Sequence, residues 1–156
     1  MMMRRLFVFC LFISATMCLS DDLTEKLTEL LSMSSTEVQT CLNKSNVKVE
    51  DAMRMDRLIN DSVETVDTDN SVVKVGCLFA CLLQRKGIMS GSYINVDKLK
   101  ELSDSKIILN HKYNALRDRI LNTCSDRVRS KTNECDVIIK FVLCIIAEVK
   151  KVYRNF

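Results

Sequence analysis

Residues 71–87 read SVVKVGCLFACLLQRKG. The stretch is apolar at helical intervals and ends in Lys86 and Gly87, so it predicts a helix from Ser71 to Lys86 that Gly87 stops, with Ser71 as its N-cap. Cys77 and Cys81 stand four residues apart on one face of that helix. A bond between them would cross-link almost nothing, so each is expected to reach a different neighbour.

Working outward, the chain holds eight cysteines: Cys10 and Cys18 near its start, then Cys41, Cys77, Cys81, Cys124, Cys135 and Cys144 with 35, 3, 42, 10 and 8 residues between them. The first twenty residues have the pattern of an export signal. Arg4 and Arg5 precede the mostly apolar run Leu6 to Leu19, and Cys18 and Ser20 are small residues at the two positions a signal peptidase reads. Cleavage after Ser20 is expected, leaving six cysteines in a secreted chain of residues 21–156. The apolar run is short of the roughly 20 residues that span a bilayer, and no later run approaches that length. An even cysteine count in an oxidising compartment is a disulfide framework.

There is no proline and there are three glycines, Gly76, Gly87 and Gly91, which suits helices better than strands and turns. Leu23, Leu27, Leu30 and Leu31 form one helical stripe, and Ile138, Phe141, Val142, Ile145, Val149 and Val152 form another. Further helices are expected over Val49 to Leu58, from Asn95 (an N-cap) to Leu102, and from Lys112 to Cys124. Residues Asn60 to Asn70 are polar and acidic and read as an exposed loop. The expected fold is all-α, a compact bundle of about six helices in one domain over residues 21–156, cross-linked by three disulfides around an internal hydrophobic cavity.

On one continuous helix Cys135 and Cys144 would be separated by ~13 Å along the axis and point apart, beyond the ~7 Å that a disulfide allows. Six cysteines permit fifteen connectivities. Excluding Cys135–Cys144 and Cys77–Cys81 leaves ten, and helix geometry goes no further.

The five spacings together, with CLFACLL (77–83), KGIMSG (86–91) and Cys135-Asp136 opening the last helix, resemble the six-cysteine odorant-binding proteins of insects, and the 86–91 turn is most similar to members from ants, bees and wasps. The likeness covers essentially all of residues 21–156. It implies the pairings Cys41–Cys81, Cys77–Cys135 and Cys124–Cys144. It also implies a secreted, extracellular carrier, a monomer or homodimer, that binds small hydrophobic molecules such as odorants or pheromones in an internal pocket and moves them through aqueous fluid, with a membrane chemoreceptor as a further partner. A cavity is destabilising in proportion to its volume, and cross-links that close loops of 40, 58 and 20 residues offset that at ~3 to 4 kcal/mol each on a chain-entropy model.

The expected pocket walls are Leu78 and Leu82 on the middle helix, Met89 and Tyr93 after it, Leu116 and Ile120 on the fifth helix, and Phe141, Val142 and Ile145 on the last, with Phe156 as a short plug. Each residue singly is equally well explained as core packing. Met53 and Met55 lie two apart and cannot both face inward on a helix. Tyr93, Tyr113 or Tyr153 would supply a hydrogen bond to a polar ligand head, although exposure is the commoner fate of a single tyrosine hydroxyl. The one histidine, His111, borders the fifth helix, and so few groups titrating near neutrality imply a weak response of binding to acid.

Other functions fare worse. Losing Arg4 and Arg5 leaves twenty-one basic against twenty acidic residues, and the clusters Arg127, Arg129, Lys131 and Lys150, Lys151, Arg154 lack interleaved aromatics, so no nucleic-acid partner is expected. One imidazole without a C-x2-C knuckle makes no zinc site, and one histidine without a paired nucleophile makes no hydrolase. No catalytic residue, metal or cofactor is expected. The alternative from a different class is a secreted helical interaction protein, such as a venom, salivary or reproductive factor, on the same scaffold. A saposin-like membrane-active protein is a third reading, with different cysteine spacing and a chain too near neutral to be drawn to anionic lipid. Two glycosylation sequons, Asn43-Lys44-Ser45 and Asn60-Asp61-Ser62, are expected in loops.

Overall fold

The structure is a computed structural model that describes residues 20–60, 70–106 and 110–155. The proposed signal apart from Ser20, the middle of the 60–70 loop and Phe156 lie outside the described residues. Among the described residues there are seven helices, α1 (Ser20–Leu31), α2 (Ser35–Ser45), α3 (Val49–Asn60), α4 (Asn70–Arg85), α5 (Val96–Lys106), α6 (His111–Val128) and α7 (Glu134–Arg154), and one ribbon of β1 (Met89–Ser90) and β2 (Tyr93–Ile94) between α4 and α5. The fold is all-α, as expected. The chain divides into two compact units, with the boundary inside α4 between Val75 and Gly76.

In the N-terminal unit α1 packs on α2. Helix α2 is a correction to the expected element list, because its apolar stripe of Val38, Cys41 and Leu42 is too sparse to stand out by periodicity. Its start was nevertheless written locally. Ser34 accepts from the Glu37 N–H at 3.2 Å, and the Glu37 carboxylate accepts from the Ser34 N–H at 3.2 Å, a reciprocal capping box. Asn46, in the left-handed region at φ 54°, ends the helix with its N–H on the Leu42 carbonyl. Asn43 therefore lies in a helix and Asn60 ends one, so neither stands in the expected loop.

Ser71 is likewise not an N-cap, since α4 already begins at Asn70. Its hydroxyl serves Asp51 instead. The buried Asp51 carboxylate accepts the Lys48 N–H at 2.9 Å and faces the Lys74 ammonium at 3.9 Å. Burial alone would raise its pKa. The Lys48 and Ser71 hydrogen bonds and the charges of Lys74 and Lys48 outweigh that and hold it below the usual aspartate range. The start of α3 is thereby pinned to the start of α4.

In the C-terminal unit, α4 ends as its sequence demands. Gly87 at φ 74° donates its N–H to the Gln84 carbonyl, and the Ile88 N–H returns to the Leu83 carbonyl at 2.9 Å, the paired bonds of a Schellman stop. The chain then reverses in the ribbon, in register Met89 to Ile94 and Ser90 to Tyr93. Gly91, at φ 56°, takes the first turn position, where a two-residue hairpin requires positive φ. Gln84 anchors the turn by donating to the Gly91 carbonyl at 3.1 Å and to the Glu134 carboxylate at 2.7 Å. Asn95 caps α5 through the Lys98 N–H, Asn110 caps α6 through the Tyr113 N–H, and Asn133 caps α7 through the Asp136 N–H.

At Gly76 helix α4 comes close to the start of α7. A Cβ added at Gly76 would lie 2.5 Å from the Cys135 carbonyl oxygen and 2.6 Å from the Ile139 side chain. One residue on, Cys77 is bonded to Cys135 with the two Cα atoms 4.4 Å apart.

Two outcomes follow for stability. Gly76→Ala gains helix propensity but must push backbone away from backbone, so it is expected to cost about 2 kcal/mol in urea unfolding of the oxidised protein; an unchanged midpoint would contradict the close packing. Asp51→Asn is expected to lower the melting temperature by roughly 3 °C at pH 7. Because the folded pKa is depressed, the stabilisation is complete above the unfolded value of about 3.9 and is lost as pH falls through the lower folded value. The gap between wild type and variant in a thermal series should therefore close only below pH ~4.

Candidate functional site

The C-terminal unit gathers an apolar layer. The buried side chains are Ala80 from α4, Met89 and Ile94 from the ribbon, Ile120, Leu121, Cys124 and Val128 from α6, and Val137, Ile138 and Phe141 from α7. Around them lies a rim of apolar residues that are only half-buried: Phe79 and Leu83 on α4, Val96 and Leu99 on α5, Leu116 on α6, and Val142, Ile145 and Val149 on α7. Two neighbouring helices thus present apolar stripes that the fold covers only in part.

Of the expected pocket residues, the layer brings together Met89, Ile120 and Phe141, with Leu116, Val142 and Ile145 in its rim. Leu78 and Leu82 are buried, but at 100° per residue they fall on a different face of α4 from Phe79, Ala80 and Leu83. Tyr93 is 63 % exposed and stands apart from this layer, because strand side chains alternate and Ile94 takes the inner face of the ribbon. Phe156 lies outside the described residues. Ala80, Leu83 and Ile94 went unnamed from sequence. The α4 residues were legible as the i, i+3, i+4 and i+7 set Gly76, Phe79, Ala80 and Leu83, and Ile94 as the partner of Met89 across the Gly91-Ser92 turn. Met55 is buried and Met53 is 54 % exposed, in keeping with their two-residue spacing.

Helices α6 and α7 are clamped by Cys124–Cys144, from the last turns of α6 to the middle of α7, with the two Cα atoms 5.6 Å apart. Cys135 and Cys144 lie on the one helix α7 and bond in different directions, to Cys77 and Cys124. These two bonds are among the pairings that the resemblance implies, and Cys41 and Cys81 are disulfide-bonded as well. Beside the clamp Arg127 donates to the Cys144 sulfur at 3.4 Å and pairs with Glu148 at 3.1 Å. The hydrogen bond from Lys151 comes first in holding the Glu148 carboxyl below its usual range; burial, next in size, opposes it, and the charges of Lys151 and Arg127 with the Arg127 hydrogen bond keep the net shift downward. The remaining basic cluster is similarly answered, Arg129 by Asp126 and Lys131 by Asp136.

Helix α5 is tied to α6 by Arg117. Its guanidinium binds the Asp104 carboxylate, reaches the Ser103 hydroxyl at 3.5 Å and holds Asp118 at 2.9 Å. Burial would lower the Arg117 pKa, but the two carboxylates prevail and raise it, so the charge is permanent. At the other end of the α6/α7 pair, burial first, then the neighbouring Tyr113, push the Tyr153 hydroxyl above its usual value; both tyrosines are half-buried. His111 is exposed at the first position of α6.

Among the described residues no group of three or more histidine, cysteine or acidic side chains is placed to hold a metal ion, and no helix is long and apolar enough to cross a membrane. What the site offers chemically is apolar surface on disulfide-linked helices, held by covalent clamps and charge pairs.

Comparison with known proteins agrees. The PBP/GOBP family model matches residues 20–148, and the chain belongs to that family, a family of binding proteins rather than of enzymes. It is similar to the Pheromone-binding protein Gp-9 of several Solenopsis species: 26 % identical to that of Solenopsis daguerrei over 109 residues, 70 % of each chain; 26 % to that of Solenopsis richteri over 108 residues, 69 % of each; and 25 % to that of Solenopsis electra over 109 residues, 70 % of each. No solved structure gives a significant match.

Replacing the α6/α7 clamp by Cys124→Ala/Cys144→Ala is expected to lower unfolding free energy by ~3 kcal/mol, the cross-link value for a loop of this length, measured by denaturant titration. A loss under about 1 kcal/mol would mean that packing and the Arg127–Glu148 pair hold the two helices unaided.

Proposed function

We propose that this protein is an extracellular carrier that takes up one small hydrophobic molecule, of the odorant or pheromone type, in an internal pocket and moves it through aqueous fluid. The same reading takes residues 1–20 as an export signal and 21–156 as the mature domain. The observation that carries it is the half-covered apolar rim of Leu116, Val142, Ile145 and Val149 beside the buried layer of Met89, Ile120 and Phe141. A chain folding only to be stable has reason to close such a rim, whereas a carrier must leave apolar surface for its cargo. The disulfides and the Arg117 bridge hold the helices without requiring that surface to be filled. Membership of the PBP/GOBP family and the similarity to proteins named as pheromone-binding support the same assignment.

An apolar ligand of ~15 heavy atoms gaining roughly 0.3 kcal/mol or more per atom reaches micromolar affinity. Most of that comes from apolar area removed from water. Specificity would come from shape and from one or two polar groups, for which Tyr113 and Tyr153 are the half-buried candidates of the unit.

The test is a fluorescence titration of the oxidised chain, residues 21–156, with a neutral naphthylamine dye. Saturable one-to-one binding at micromolar protein is expected, with displacement by long-chain alcohols, esters or terpenoids. Ile145→Arg puts a cation in the apolar rim and should weaken binding at least ~10-fold while leaving the helical circular dichroism intact. A folded, fully oxidised protein that binds no dye would refute the carrier reading.

A further inference from the structure

We propose that Asn43 carries an N-linked glycan, added to the nascent chain before α2 folds. This goes beyond the carrier reading and needs only that the chain be exported.

Asn43 and Ser45 are the acceptor and the hydroxyl residue of a sequon. In the folded protein both belong to the last turns of α2, where residues two apart point to nearly opposite sides. Asn43 stands on the solvent face with Thr36, Gln39, Thr40 and Lys44, all exposed and all polar. Its carboxamide oxygen accepts from Gln39 of the same face at 3.0 Å. Ser45 turns the other way, half-buried, and its hydroxyl donates to the Cys41 carbonyl at 2.8 Å and to the Leu42 carbonyl at 3.3 Å. One enzyme active site cannot engage both side chains of a sequon wound in this way. Cys41, two residues upstream, is fully buried and disulfide-bonded, which locks the helix once formed.

The folded structure thus sets the order of events. Transfer happens on extended chain, and folding then carries Asn43 outward with the sugar and Ser45 inward, with no apolar side chain of that face to be covered. In the transfer the Asn43 amide nitrogen forms a bond to the anomeric carbon of a lipid-pyrophosphate-linked oligosaccharide. The bond from that carbon to the pyrophosphate oxygen breaks, the lipid pyrophosphate leaves with the electron pair, and the amide gives up one proton. The donor is anionic, so Lys44 beside the acceptor favours its approach. In the second sequon Asp61 stands in that place and repels it.

The experiment expresses the full chain with its own N-terminus in a glycosylating eukaryotic cell and maps the secreted product by mass spectrometry. Expected is a glycan on the peptide holding Asn43, removed by peptide N-glycosidase with conversion of Asn43 to aspartate. It should be absent from Asn43→Gln and Ser45→Ala, and retained in Ser45→Thr and Asn60→Gln. Chain refolded and oxidised from bacteria should stay unmodified when added to microsomes, while chain translated into them is modified. A secreted product with Asn43 bare, or modified at Asn60 alone, overturns the site. Modification of the refolded chain overturns the order of events. A chain retained unprocessed in the cytosol overturns export and this site together, which is distinguishable from failure of the dye titration on purified protein.

Discussion

The approach of α4 to α7 at Gly76 is the constraint on which the C-terminal unit depends. Two helices normally run 8–10 Å apart because side chains keep their axes separate. Here a missing side chain lets a backbone carbonyl, that of Cys135, come within 2.5 Å of where a Cβ would stand, and the next residue completes the contact covalently. The glycine and the disulfide are one device. Without the glycine the cysteines would be held apart by Ile139 and the α7 backbone; without the bond a close contact between two short stretches would rest on dispersion alone, worth ~0.1–0.2 kcal/mol for each atom pair. Fixing α7 there fixes the direction in which Ile138, Phe141, Val142 and Ile145 face, the first two in the buried apolar layer and the last two in its rim.

The second clamp acts at the other helix pair. Cys124 is fully buried while Cys144 is half-buried, and the Arg127 guanidinium lies over the outer sulfur with Glu148 and Lys151 beyond it. Charge on this helix pair is thereby concentrated on the outside, and its inner stripes stay apolar. The Arg117 bridge does the same between α5 and α6. The ionic ties lie on the outside of these helices, while the Cys124 end of the covalent tie is buried among the apolar side chains.

Much of this was legible without coordinates. Periodicity located the helices that contain Leu27, Leu78, Ile120 and Phe141, since each of these stripes is dense. Gly87 and Asn95 announced their roles because a C-terminal stop needs positive φ and an N-cap needs a short side-chain acceptor, both of which are local demands. Helix α2 was missed although Ser34 and Glu37 spelled its capping box, because attention to apolar periodicity passes over a helix with so few buried positions. Ser71 misled for the opposite reason: its residue type fits a cap, but a buried carboxylate 20 residues upstream claims its hydroxyl. The exposure of Tyr93 could not be read before the ribbon register was known, since the register pairs it with exposed Ser90 and gives Met89 to Ile94.

By itself, then, the amino-acid sequence determined the class of fold, the family and the oxidised state expected of its cysteines, since composition, helical period and cysteine spacing are properties of the chain taken in order. What only the tertiary structure decided was which apolar residues meet. Leu78 and Phe79 are neighbours in the chain and end on different faces of one helix; Gly76 and Cys135 are far apart in it and end within a carbon atom's reach. Such outcomes depend on helix rotation and on backbone separation, quantities that no single stretch of residues encodes and that are set when all the packing and cross-linking demands are met at once.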